Sequence, residues 1–165
     1  MIFFRSISSV IRVLLLGVAV GVGFVPCGRA VEVEAPAGYQ IRFGTLRSDK
    51  GEEYPFDKEA TVLVRKTKEP ALVFGFEITP PDNAAYSYCF FLKPPAPVKQ
   101  VGGDLKKVEA KGPLLAVTSG EETVPGGKFT YPLWFDADDP LGEWQIEIFV
   151  NGKTVKTFKF KVVAE

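Results

Sequence analysis

The sequence predicts an all-β chain folded as an antiparallel sandwich of two sheets. Three observations carry this expectation. Beyond the first 30 residues every apolar segment alternates with period two, clusters of Gly, Pro, Asp and Asn separate those segments, and no stretch joins a 3.6-residue apolar period to helix caps. A length of 165 residues, with 46% hydrophobic and 24% charged residues, fits one ordinary domain with one core.

The amino terminus differs in kind. "MIFFRSISSVIR" carries Arg5 and Arg12 and no acid, and Val13 to Val25 is an unbroken apolar run. That run is shorter than the roughly 20 residues needed to cross a bilayer, and Pro26 breaks it ahead of the small-residue stretch "CGRA". The pattern is that of a signal peptide over residues 1–30, cleaved after Ala30, which sends residues 31–165 to a periplasmic or extracellular location. Two alternatives stay open: an uncleaved anchor extended back to Ile7 across Arg12, and lipid attachment at Cys27, whose preceding Phe24-Val25-Pro26 fits a lipobox poorly. Cleavage after Ala30 removes Cys27 and leaves the mature domain with the single cysteine Cys89, so no internal disulfide is expected. It also removes Arg5, Arg12 and Arg29. The balance moves from 20 basic and 20 acidic residues to 17 and 20, a formal charge of −3. No basic surface recruits nucleic acid, no membrane span remains after cleavage, and a monomer is expected.

Each strand follows from its alternation. "GYQIRF" sets Tyr39, Ile41 and Phe43 on one face, "EATVLVRK" sets Val62 with Val64, and "ALVFGFEI" sets Leu72, Phe74, Phe76 and Ile78 together. "AAYSYCFFLK" sets Tyr86, Tyr88, Phe90 and Leu92 against Ser87, Cys89 and Phe91. "KFTYPLWFD" sets Phe129, Tyr131, Leu133 and Phe135 against Pro132 and Trp134, and Pro132 suits an edge strand or a bulge. "SDKGEEYP", "TKEP", "TPPDN" and "VPGGK" are the turns. Residues 93–113 are the least regular part, a long connection holding at most a short strand or helical turn. Short strands with such turns point to an immunoglobulin-like sandwich.

The last two strands form a hairpin around Asn151-Gly152. A plain two-residue turn would oppose Trp144 to Lys159 and mismatch the apolar faces. A three-residue loop, Val150-Asn151-Gly152 with Gly152 left-handed, would instead oppose Phe149 to Lys153, Trp144 to Phe158 and Glu143 to Lys159. The bulged form is therefore expected. The stretch "PLGEWQIEIFVNGKTVKTFKFKVV", residues 140–163, resembles the carboxy-terminal hairpin of small exported bacterial immunoglobulin-like β-sandwich domains of an uncharacterised family. "GYQIRFG" and the mid-chain "KPP" fit the same type of domain. The resemblance implies a fold and a compartment and supplies no catalytic residues.

Composition narrows the chemistry. With no histidine, a Ser-His-Asp or Cys-His site is excluded, and zinc or copper has no ligand set beyond Cys89. No cofactor is expected. Asp136, Asp138, Asp139 and Glu143 are the candidates for a carboxylate-pair hydrolase, and Asp136, Asp138 and Asp139 for a loop calcium site. The plainer reading of the same stretch is a solvated turn. Trp134, Phe91 and Phe149 fall off the core faces. Trp134, Tyr131 and Phe149 are thus candidate ligand-binding residues, for a glycan or a partner protein, against the alternative that a loop covers them. Trp144 is expected to anchor the core. The function these readings imply is an exported, non-catalytic domain that binds or serves as an envelope component, with a carbohydrate-binding module using aromatics near Trp134 as the alternative.

Overall fold

The computed structural model describes residues 38–48, 54–68, 70–98, 105–109 and 115–165. The expected signal peptide, its cleavage site and Cys27 lie outside the described residues. Eleven strands are described: β1 (Gln40–Leu46), β2 (Phe56–Glu59), β3 (Val62–Arg65), β4 (Val73–Thr79), β5 (Tyr86–Lys93), β6 (Lys106–Glu109), β7 (Leu115–Thr118), β8 (Glu122–Val124), β9 (Phe129–Trp134), β10 (Gly142–Val150) and β11 (Lys153–Ala164). One layer has the order β2-β1-β4-β9, and the other β3-β11-β10-β5-β7-β6 with β8 also on β5. All pairings are antiparallel except that of β3 with β11. With β1, β4 and β9 in one layer and β5, β10 and β11 adjacent in the other, the strand order is that of an immunoglobulin-like sandwich.

Alternation places the core. Phe43, Phe74, Phe76 and Ile78 from the four-stranded layer meet Tyr88, Phe90, Trp144, Ile146, Ile148, Phe160 and Val162 from the other, each 3% exposed or less. Rings interlock across the gap: Phe43 lies 4.7 Å from Phe160, and Phe76 lies 5.3 Å from Phe90 in a T-shaped pair. Burying each such side chain contributes about 1.5–3 kcal/mol, so apolar contact is the main attraction between the two layers. Trp144 is the anchor expected of it, packed against Phe160 while its indole N–H donates to the Pro140 carbonyl at 2.9 Å. Pro132 lies on β9, an edge of the first layer, where its missing N–H costs no ladder bond. Within 93–113 the described residues include the short strand β6, which pairs with β7.

The hairpin corrects one expectation and keeps its reason. Val150 opposes Lys153, so Asn151-Gly152 is a two-residue turn with φ of 50° and 72°, the left-handed values of a type I′ turn. The extra residue sits one step farther in, where Phe149 opposes Thr154 and Ile148 opposes Lys156. That bulge at Val155 shifts the register by one. Trp144 then meets Phe160, Ile146 meets Phe158, and Glu143 meets Lys161. The apolar faces do coincide, through a bulge in the strand rather than in the loop. Asn151 also ties the tip to β5: its N–H donates to the Ser87 carbonyl and its side-chain carbonyl accepts from the Ser87 N–H, both at 2.9 Å.

Val62 and Val64 share a face as expected, but it is the outer face, at 56% and 39% exposure, while Leu63 between them is buried. Pairing with β11 turns Leu63 inward. The expectation of no internal disulfide concerned the domain cleaved after Ala30, whereas the structure is that of the full chain. Cys89, 4% exposed on the outer side of β5, is disulfide-bonded, and no cysteine among the described residues is free.

Candidate functional site

The three aromatics singled out from the sequence occupy three different places. Tyr131 points into the sandwich, stacked on Phe76 at 5.6 Å and edge-on to Phe90 at 4.9 Å, so it is a core residue and not a ligand platform. Phe149 is 3% exposed on the outer side of the second layer, opposite Cys89 and T-shaped to Phe91 at 5.6 Å, which removes it as a contact residue. Trp134 alone is open. It ends β9 facing outward, 50% exposed, with Tyr54 edge-on at 5.4 Å.

The acidic stretch is a closed turn. The Asp136 N–H donates to Asp139 Oδ2 at 2.8 Å, the Asp139 N–H donates to the Asp136 carbonyl at 3.2 Å, and the Arg65 guanidinium donates to the Asp139 carbonyl. Burial, aided by the charges of Asp136 and Asp138, pushes the Asp139 carboxyl above its ordinary value against the opposing Asp136 amide and Arg65. Its oxygen is therefore spent on the turn. No three acidic or cysteine side chains among the described residues are grouped to hold a metal, so Asp136, Asp138 and Asp139 do not form the calcium site considered for them. Glu143 lines a separate hollow of about 370 Å³ with Lys93, Lys159 and Trp144, which none of the three aspartates reaches.

A constellation that the sequence did not suggest lies on the outer face of the four-stranded layer. Register sets Arg42 of β1 opposite Glu77 of β4, and Glu77 opposite Thr130 of β9, two residues beyond Lys128. Glu77 is 3% exposed although its strand neighbours Phe76 and Ile78 face the core. Its Oε1 accepts from Arg42 Nε at 3.1 Å and Nη2 at 2.5 Å, and its Oε2 pairs with Lys128 Nζ at 3.1 Å. Burial raises the carboxyl, yet the hydrogen bonds and charges of Arg42 and Lys128 outweigh it and hold Glu77 below its ordinary value. Arg42 is further fixed by its position 4.2 Å over the Phe56 ring. The Arg47 N–H donates to the Pro55 carbonyl at 3.0 Å, which folds Tyr54 and Phe56 back over the sheet.

These residues line one open groove of about 650 Å³, with Arg42, Arg47 and Lys128 as cations, Glu77 as the single carboxylate, and Tyr54 and Phe56 as aromatic walls. Tyr54 and Pro132 continue the groove to the Trp134 ring. Of the sequence candidates, only Trp134 belongs to this surface. One signal for the rest was legible: an acid at position 77, alone among apolar residues in "VFGFEIT".

Comparison with known proteins adds a family. Residues 41–163, about three quarters of the chain, match the family described as the PM0630 beta sandwich domain. The chain belongs to that family. Among solved structures, an immunoglobulin-like protein from Pseudomonas aeruginosa is similar at 17% identity, with 81% of this chain and 100% of that one covered and a TM-score of 0.48. An alkylpurine DNA glycosylase from Pseudomonas fluorescens is similar at 10% identity, covering 75% of this chain and 30% of that one, with a TM-score of 0.34. No curated protein matches the chain. Neither structural likeness carries a function to this member of the PM0630 family.

Proposed function

We propose that this PM0630-family domain is exported and non-catalytic, and that it works as a binding module through the outer face of its four-stranded layer. The observation that carries the reading is Glu77: a carboxylate 3% exposed, gripping two cations at the floor of a groove that opens beside a half-exposed tryptophan. A buried charge needs pairing, but one cation neutralises it. The second is surplus to the fold and faces the groove. Export is supported by Arg5 and Arg12 ahead of the apolar run and by a disulfide-bonded Cys89, which suits an oxidising compartment.

The reading is tested with the protein recovered from cells expressing the full chain. A panel of glycans and envelope proteins should yield a ligand whose binding falls in Trp134→Ala while the circular dichroism spectrum is unchanged. A hydrolase panel should show no turnover. Turnover abolished by changing Asp138 or Glu143 would contradict it. Between ligand types, carbohydrate is favoured by the open indole of Trp134, because a sugar ring presents a C–H face that stacks on such a ring.

A further inference from the structure

Resting on that binding reading, we infer that the groove takes an acidic glycan, its uronate or sulfate groups held by Arg42, Arg47 and Lys128 and its ring faces by Trp134.

Three cations and one carboxylate line the groove, and that carboxylate is already committed below them. Arg42 spends Nε and one Nη on Glu77 Oε1, and its plane is pinned over Phe56, which leaves it further N–H donors beyond those two bonds. Lys128 is positioned by the other oxygen of the same carboxylate. Glu77 thus acts as an internal clamp that orders two flexible cations before any ligand arrives, while their side chains stay 47% and 60% exposed. Pre-ordering lowers the entropy lost on binding, and a guanidinium fork matches the geometry of a carboxylate or sulfate. The aromatic and apolar walls beside the cations focus their field into the groove.

Acidic glycan is favoured over acidic peptide by what adjoins the cations. Tyr54 is shared between the groove and Trp134, so the positive site and the open indole form one continuous track. A polymer with alternating flat faces and anionic groups engages both ends; a peptide of Asp and Glu has nothing to stack on Trp134.

Calorimetry on the protein recovered from full-chain expression decides it, using hexagalacturonate and a heparin hexasaccharide against cellohexaose and hexaglutamate. Expected is binding to an acidic hexasaccharide that weakens about tenfold or more in Arg47→Gln/Lys128→Gln and in Trp134→Ala, and that weakens again as salt rises from about 0.05 to 0.5 M. All three residues are exposed, so the variants should remain folded, which the thermal transition checks. Cellohexaose bound equally well and lost in Trp134→Ala would overturn the charge requirement and leave the binding surface standing. Hexaglutamate bound as tightly, with Trp134→Ala indifferent, would overturn the glycan in favour of an acidic peptide. No binding to any of the four would overturn the inference, and if the wider panel were also silent, the binding reading with it.

Discussion

Replacing Glu77 by Gln tests whether the buried clamp is electrostatic. The wild-type carboxylate receives two bonds from Arg42, at 3.1 and 2.5 Å, and a contact from Lys128 at 3.1 Å. Hydrogen bonds to charged groups are worth about 1.5–3 kcal/mol each, but Arg42 and Lys128 are roughly half exposed and recover water when the charge is gone. A glutamine carbonyl also keeps one acceptor for Arg42. The net loss at pH 7 should therefore be about 1–2 kcal/mol, well below the 3–5 kcal/mol typical of a pair whose surviving partner stays buried. With a urea slope of about 1–3 kcal/mol per M, the unfolding midpoint should fall by about 0.3–2 M. The pH dependence makes the test specific. Because the folded Glu77 carboxyl lies below its ordinary value of 4.5, its stabilisation is complete above that pH and is lost as pH falls through the folded value. The gap between wild type and Glu77→Gln should thus stay open above the ordinary carboxylate value and close as acidification carries the pH below it. A gap that stays constant from pH 7 downward, or no gap at pH 7, would refute the electrostatic account.

Further outcomes follow from other parts of the molecule. Asn151→Ala should cost about 1–2 kcal/mol in urea unfolding, since it loses the side-chain bond to Ser87 and forces alanine to a φ of 50°, whereas Asn151→Gly should cost less; two variants equal to wild type would dismiss that bond. Cys89 is disulfide-bonded and the sequence has one other cysteine, so a chain that closes this bond within itself must have kept Cys27. Intact mass of the protein recovered from cells expressing the full chain should then place its amino terminus at or before residue 27 with no free thiol, and a chain beginning at Val31 would contradict this.

Period-two alternation made most of the core legible. "ALVFGFEI" and "AAYSYCFFLK" put the right rings inside because both are central strands, packed on one face and crossed by neighbours on both sides. At β3 it put Val62 and Val64 on one face without saying which, and an edge strand paired in parallel with β11 buries only Leu63 between them. The hairpin shows a different limit. Face parity required one bulge, and parity is equally satisfied with the bulge in the loop or at Val155, so the sequence left its position open. In the candidate site, alternation already separated Tyr131 from Trp134, and grouping them by proximity along the chain was the error. Arg42, Glu77 and Lys128 escaped because they meet through strand register, 35 residues apart in the case of Arg42 and Glu77. No local spacing encodes such a meeting.

The most direct test of the central claim is the environment of Trp134, read by fluorescence quenching in a Trp144→Phe background that leaves it as the single indole. Acrylamide should quench Trp134 strongly, and iodide should quench it more than caesium, because the ring is 50% exposed at the end of a groove lined by Arg42, Arg47 and Lys128. A Trp134 protected from acrylamide, or quenched more by caesium than by iodide, would contradict an open, positively charged binding face.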